Sequence, residues 1–226
     1  MPNVLRFQFS KGPEVRFLSH LDLVRTMERA VRRANLPIAY SAGFSPRPIM
    51  SYGFALPVGM LSEAEYGDFE FARRLDPMEF IARYNRHLPK GFRILQAEIL
   101  QEGAPALMRE INAGSWRLEI PGKSAHEITE RLQWLEGVDS FVVKRETKKG
   151  IREVDVRPFL FSVSKIQARS AGTVLECLCG LGNEGNLRME ELGELLDFTH
   201  VESIITRTGQ FKKVGDRYFP PLGKRG

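Results

Sequence analysis

Apolar and polar side chains alternate along residues 3–10, NVLRFQFS, with Leu5, Phe7 and Phe9 on one side and Arg6, Gln8 and Ser10 on the other. A period of two over this length predicts a half-buried strand. Lys11-Gly12-Pro13 then turns the chain, and Val15 to Phe17 form a short extended piece. From Ser19 the period changes to 3.6. Ser19 stands as an N-cap with Asp22 in the position of a capping-box acid. Leu23, Val24, Met27, Ala30, Val31 and Ala34 gather on one side of the predicted helix, and Arg25, Arg29, Arg32 and Arg33 fall almost opposite. Asn35 and Pro37 end it.

Pro37 to Ser41 reads as a short strand, followed by an ordered loop, AGFSPRP, over residues 42–48. Two prolines fix φ there and Gly43 permits a positive φ. Ile49 to Leu56 resumes extended structure, and Glu65 to Arg73 alternates as a strand with Phe69 and Phe71 inward. Asp76-Pro77 opens a helix carrying Phe80, Ile81, Tyr84 and Leu88. Pro89-Lys90-Gly91 stops it, and Phe92 to Leu100 is a strand. Residues 101–114 look like a connector.

The same order then recurs. Trp116 to Ile120 is a strand, Ser124 caps a helix with Ile128, Leu132 and Leu135, and Phe141 to Glu146 is a strand ending in a turn at Lys148-Lys149-Gly150. Val154 to Phe161 and Val163 to Gln167 are extended and broken around Pro158. Thr173 to Leu181 is a strand, Leu187, Leu192, Leu195 and Leu196 mark a helix, and Val201 to Thr208 closes as a strand. Two βαββαβ passes predict an α+β fold of two consecutive ferredoxin-like (split βαβ) units, antiparallel sheets with helices on one face. The units span 1–110 and 111–210, and a basic, Pro/Gly-rich tail covers 211–226. The halves share a pattern and no residue-level identity.

At 226 residues the chain can form one large domain or two small ones, each with a core. A hydrophobic share of 42% with 27% charged residues is the balance of a soluble globular protein. The net charge of +5 suits a polyanionic partner and also an ordinary cytosolic protein. Cys177 and Cys179 sit in ECLCGL, on one face of a strand, where neighbouring positions seldom suit a disulfide. With no C-x-x-C pair and no cluster of Cys with His, an iron–sulfur or zinc site built by this chain alone is not expected. The N-terminal residues MPNVLRFQF lack a signal pattern, and no apolar run is long enough to span a membrane, so a cytoplasmic location is expected.

Two features suggest chemistry. Guanidinium forks on the Arg25/Arg29/Arg32/Arg33 face suit phosphates, although a solvated helix face with Glu28 as local partner explains them as well. The GFSPRP loop offers Phe44 for stacking on a base and Arg47 for an anion, with Tyr52 just beyond; the alternative is a rigid connection whose Phe44 plugs the core. His20 and Asp22 suggest an acid–base pair, though helix starts carry such residues for capping alone. His87, His126 and His200 are scattered without metal spacing. Glu63, Glu65, Asp68 and Glu70 form an acidic patch that would hold a metal or a basic partner, or simply face solvent. EYGDFEFAR lacks the aromatic pattern of an RRM sheet, and no Gly-rich phosphate loop is present. Lys148, Lys149, Arg152, Lys212, Lys213 and Arg217 make the second half basic, as a solvated surface also would.

The run FLSHLDLVRTMERAVRRANLPIAYSAGFSPRPIMSYGFALPVGMLSEAEY, residues 17–66, resembles the signature of the radical-SAM-linked proteins carrying the DUF2344 domain. The DVRPF segment, Asp155 to Phe159, fits as well, so the resemblance covers residues 1 to about 210. Members of that family occur as separate small proteins or fused behind a radical SAM protein with a cobalamin-binding region. Their genes often adjoin that enzyme, a ribonuclease of the E/G type and ribosomal protein genes. The resemblance therefore implies a partner enzyme and an RNA-related setting, and it brings no established catalytic residues. The three-cysteine radical SAM motif is absent, so S-adenosylmethionine, the iron–sulfur cluster and cobalamin are expected with the partner and not on this chain. The expected function is a non-catalytic RNA-binding or substrate-presenting subunit using Arg25, Arg29, Arg32, Arg33, Phe44, Arg47 and Tyr52. An RNA-processing or modifying enzyme built on His20 and Asp22 or on the acidic patch, and a protein–protein adaptor without RNA contact, are the alternatives.

Overall fold

The computed structural model describes residues 3–148, 150–199 and 202–223. Lys149, His200 and Val201, which the sequence assigns to a turn, a surface histidine and a strand start, lie outside the described residues. The chain divides into two compact units, residues 1–111 with 209–226, and residues 112–208. The fold is α+β, and every strand pair with a described register is antiparallel. Among the described residues no helix is long and apolar enough to cross a membrane.

The first unit contains β1 (Asn3–Lys11), α1 (His20–Arg33), β2 (Met50–Tyr52), β3 (Leu61–Phe71), α2 (Pro77–Asn85), β4 (Phe92–Ile99) and α3 (Leu107–Glu110). Its strands run in the order β4-β1-β3, and β2 pairs with β3. The alternation seen in the sequence sets the layers. Leu5, Phe7, Phe9, Phe69 and Phe71 point to the side where Leu23, Met27, Ala30 and Val31 of α1 and Phe80 and Tyr84 of α2 close the core. Burying each of these large side chains is worth roughly 1.5–3 kcal/mol. Phe7 meets Phe69 edge to face at 4.6 Å and lies across Gly67 of β3, where a Cβ would stand 2.6 Å from the ring. Helix starts follow the capping residues: Ser19 Oγ accepts the Asp22 amide, and Asp76 Oδ1 accepts those of Met78 and Glu79. Asn35, at φ +48°, takes the left-handed conformation that ends α1.

The opposite sheet face is covered around Arg6. Arg6 is 1% exposed there, its guanidinium bound to Asp68 at 2.7 and 2.9 Å, to Glu110 of α3 at 2.8 Å, and to the carbonyls of Pro105 and Pro221. One arginine thus ties the connector and the C-terminal segment to the sheet.

The second unit contains β5 (Ala113–Pro121), α4 (Ala125–Glu136), the separate hairpin β6 (Val142–Thr147) and β7 (Gly150–Asp155), β8 (Leu160–Arg169), β9 (Gly172–Gly180) and α5 (Met189–Leu195). A long strand, β10 (Ile204–Val214), contributes residues 204–208 here and 209–214 to the first unit. The order in this unit is β10-β5-β9-β8. Ser124 and Glu127 form a complete capping box at α4. Arg145 of β6 grips Glu191 with both carboxylate oxygens at 2.6 and 2.7 Å and the Asn186 side chain at 2.8 Å, pinning the hairpin to α5. Cys177 and Cys179 are buried, unbonded, with Sγ atoms 3.8 Å apart; the Cys177 thiol and burial push the Cys179 thiol well above its usual pKa.

Several expected elements differ. Pro37 to Ser41 forms no strand, and its β-bridges are the isolated pairs Ile38–Phe71 and Tyr40–Pro48, while residues 50–52 pair with β3. The strand expected from Glu65 begins four residues earlier, at Leu61. The connector 101–114 holds α3 and the start of β5. Pro158 sits in a 3-10 turn, Arg157–Phe159, between β7 and β8. The segment expected as a tail from residue 211 continues β10 and returns as β11 (Arg217–Phe219), pairing Lys212 with Phe219.

Candidate nucleic-acid interface

Residues 39–49 of the first unit form a braced finger. At its base Ile49 N–H donates to the Ala39 carbonyl at 2.9 Å, while Glu70 of β3 receives the Ala39 N–H and donates to the Ile49 carbonyl. Higher up, Ser41 N–H donates to the Arg47 carbonyl at 2.9 Å, and Arg47 N–H donates to Ser41 Oγ at 3.1 Å. Pro46 and Pro48 restrict one limb, and Gly43 supplies the turn at φ +122°. Phe44 lies at the apex, fully in solvent at 110% relative exposure. It plugs no core. Arg47 is also exposed, while Tyr40 is half-exposed at the finger's base.

The arginines of α1 share one exposed face but are not equivalent. Arg25 pairs with Asp22 at 3.4 Å, and Arg32 pairs with Glu28. Arg33 donates to the His87 carbonyl at the end of α2, and Arg83 of α2 answers by donating to the Ala34 and Asn35 carbonyls at the end of α1. These two arginines cap each other's helix, and cations at helix C-termini are stabilising there. Arg29 makes no ion pair or hydrogen bond among the described residues and is the freest cation of the four. Arg86, next to His87, extends the exposed basic surface onto α2. The sequence pattern of α1 alone had no means of including it.

Tyr52 belongs elsewhere. Its ring packs edge-on against Phe9, Phe69 and His20 at 6.3, 5.9 and 6.0 Å, and its hydroxyl is shielded from water without a partner among the described residues. Burial, with the nearby Glu28 charge, pushes its pKa well up. The partly buried ring packs against the core of the first unit. No hydrogen bond, ion pair or ring contact joins Phe44 or Arg47 to the α1 arginines among the described residues.

The other candidates disperse. Asp22 is occupied by Ser19 and Arg25, and among the described residues no hydrogen bond joins it to His20. Glu65 pairs in register with Phe9 and so lies on the helix-covered face, whereas Asp68 and Glu70 face the other way, with Asp68 held by Arg6. Among the described residues no group of three or more His, Cys, Asp or Glu side chains is placed to hold a metal.

Residues 5–189 match the family described as "Uncharacterized protein conserved in bacteria (DUF2344)", and the chain belongs to that family. No curated protein matches it.

Proposed function

We propose that this DUF2344 member is a non-catalytic RNA-binding or substrate-presenting partner of a cobalamin-dependent radical SAM enzyme. The observation that carries the proposal is Phe44, an aromatic ring held wholly in water at the apex of a hydrogen-bonded, proline-braced finger with Arg47 beside it. Keeping such a ring out of a core forgoes roughly 1.5–3 kcal/mol of burial, which stacking on a base would recover. The exposed Arg29, with Arg25, Arg32 and Arg33 on the same helix face, supplies the cationic surface for phosphates. The strand orders β4-β1-β3 with β2 on β3, and β10-β5-β9-β8, support two ferredoxin-like units, the second carrying an inserted hairpin. The chain then needs no bound cofactor; S-adenosylmethionine, the cluster and cobalamin would stay with the partner, in the cytoplasm.

A protein contact has its own support in the same unit. Phe17, Leu21 and Val58 are 70, 66 and 56% exposed at the head of α1, and the Gly59 amide hydrogen-bonds to the Arg16 carbonyl, holding the 57–59 turn beside Phe17. This patch is where the enzyme would dock. The test of the RNA part is salt-dependent RNA binding by wild type and by Arg29→Ala, Arg32→Ala and Arg47→Ala. Weakened binding with a shallower salt slope supports it, and negligible binding by all four proteins overturns it.

A further inference from the structure

We infer that the finger recognises an unpaired base in single-stranded RNA by stacking on Phe44, and that it does so without reading which base it holds. The inference rests on the RNA-binding proposal and adds the class of RNA and the mode of recognition.

The strand state follows from access. In an A-form duplex the base faces are stacked on one another and the major groove is too deep and narrow for side chains to read. A ring presented at the tip of a short loop meets a base face only where the base is already splayed out, as in loops, bulges and single strands. The bracing removes most of the ordering cost. Two rungs of hydrogen bonds, 39–49 and 41–47, together with Pro46 and Pro48, hold Phe44 outward before any ligand arrives.

Tolerance of base identity follows from the side-chain inventory. Reading a base edge takes paired donors and acceptors, supplied typically by Asn, Gln, Asp, Glu or Arg. Residues 41–47, SAGFSPR, contain no amide or carboxylate side chain. Ser41 Oγ is already occupied by the Arg47 N–H. The Ser45 hydroxyl and the Arg47 guanidinium remain, and a guanidinium fork suits the phosphate of a stacked nucleotide. The preference left over is that of stacking strength, purines above pyrimidines.

The experiment uses the full chain and a short oligoribonucleotide carrying 2-aminopurine, alone and annealed to its complement, followed by titrations with oligo(A) and oligo(U). The single strand should bind at least about tenfold more tightly than the duplex, with quenching of 2-aminopurine, and oligo(A) should exceed oligo(U) by only a few-fold. Phe44→Ala should lose about tenfold in affinity together with the quenching, and Phe44→Trp should keep both. Because Phe44 packs against nothing, both variants should keep the wild-type unfolding midpoint. Equal affinity for duplex and single strand, or a Phe44→Ala protein that binds like wild type, overturns the inference and leaves the RNA proposal standing; a variant that instead loses only a protein partner also overturns it. Absence of binding to every RNA form overturns the RNA proposal itself.

Discussion

Both units lay down strand, helix, strands, helix and strand in the same order, yet they present opposite charge. The first unit, residues 1–111 and 209–226, carries 20 basic and 13 acidic residues, a net +7; the second, residues 112–208, carries 13 and 15, a net −2. Of the 20 basic residues in the first unit 15 are arginine, the side chain whose planar fork suits phosphate. The whole-chain value of +5 conceals this division. The excursions between the first helix and the following strands differ as well. In the first unit it is a finger with an exposed aromatic apex, and in the second it is the β6–β7 hairpin, where Lys144 faces Glu153 across the strands. Each unit nevertheless uses an arginine as a tie, the buried Arg6 in the first and the part-buried Arg145 in the second. A shared order of elements therefore says little about function, which lies in what each unit hangs on its surface.

The two ties offer the strongest way to separate the units. Arg6→Met removes the guanidinium that binds Asp68 and Glu110 and should cost roughly 3–5 kcal/mol in urea unfolding. Arg145→Met leaves Glu191 with the Arg188 N–H at 2.8 Å and the Arg188 side chain at 3.9 Å, and should cost less, about 3 kcal/mol or below. An equal or larger loss at Arg145 would show that the first unit does not depend on its tie in this way.

Alkali should also discriminate. All five tyrosines belong to the first unit and both tryptophans to the second. Burial, with the adjacent Glu65 charge, pushes Tyr66 up to about 12, and Tyr52 and Tyr84 are raised in the same direction by burial. The folded chain thus keeps protons that the unfolded chain releases near pH 10. Stability is intact below that pH and falls as pH rises towards 12, by about 3 kcal/mol from Tyr66 alone. The raised Cys179 thiol gives the second unit a loss of the same sign, starting nearer pH 9. Tyrosine near-ultraviolet dichroism should collapse between pH 10 and 12, and Tyr66→Phe should move that collapse upward. An unchanged alkaline profile in Tyr66→Phe would contradict the assignment.

Smaller effects follow. Gly67→Ala drives a methyl into the Phe7 ring and should cost roughly 1–3 kcal/mol, read as a lowered Tm. Phe44→Ala and Arg29→Ala should change stability by no more than about 0.5 kcal/mol. A loss well above that at either position would assign it to the scaffold rather than to the surface.

What was legible in the sequence was local. Ser19, Asp76 and Ser124 cap the helices they precede, and alternation in β1 and β3 sends Leu5, Phe7, Phe9, Phe69 and Phe71 to the core. What failed depended on distant chain. Arg6 occupies a position that alternation alone marks as wet, yet it is buried and binds the distant residues 105, 110 and 221. Nothing local distinguishes Arg33 from Arg29, since the carbonyl that binds Arg33 lies 54 residues away. Phe44 could not be oriented because a Gly/Pro-rich loop has no periodicity, and its outward direction is imposed by the Ser41–Arg47 and Ala39–Ile49 rungs. Tyr52 stands in the same signature as the loop, and its ring is partly buried against Phe9 and Phe69.

The most direct measurement is zero-length ultraviolet crosslinking of the full chain to single-stranded RNA, with the crosslinked peptides mapped to residues. A crosslink is expected within residues 40–48, at Phe44, disappearing in Phe44→Ala, with none within residues 112–208. Bound RNA that crosslinks only to the second unit, or that crosslinks identically in wild type and Phe44→Ala, would contradict that expectation.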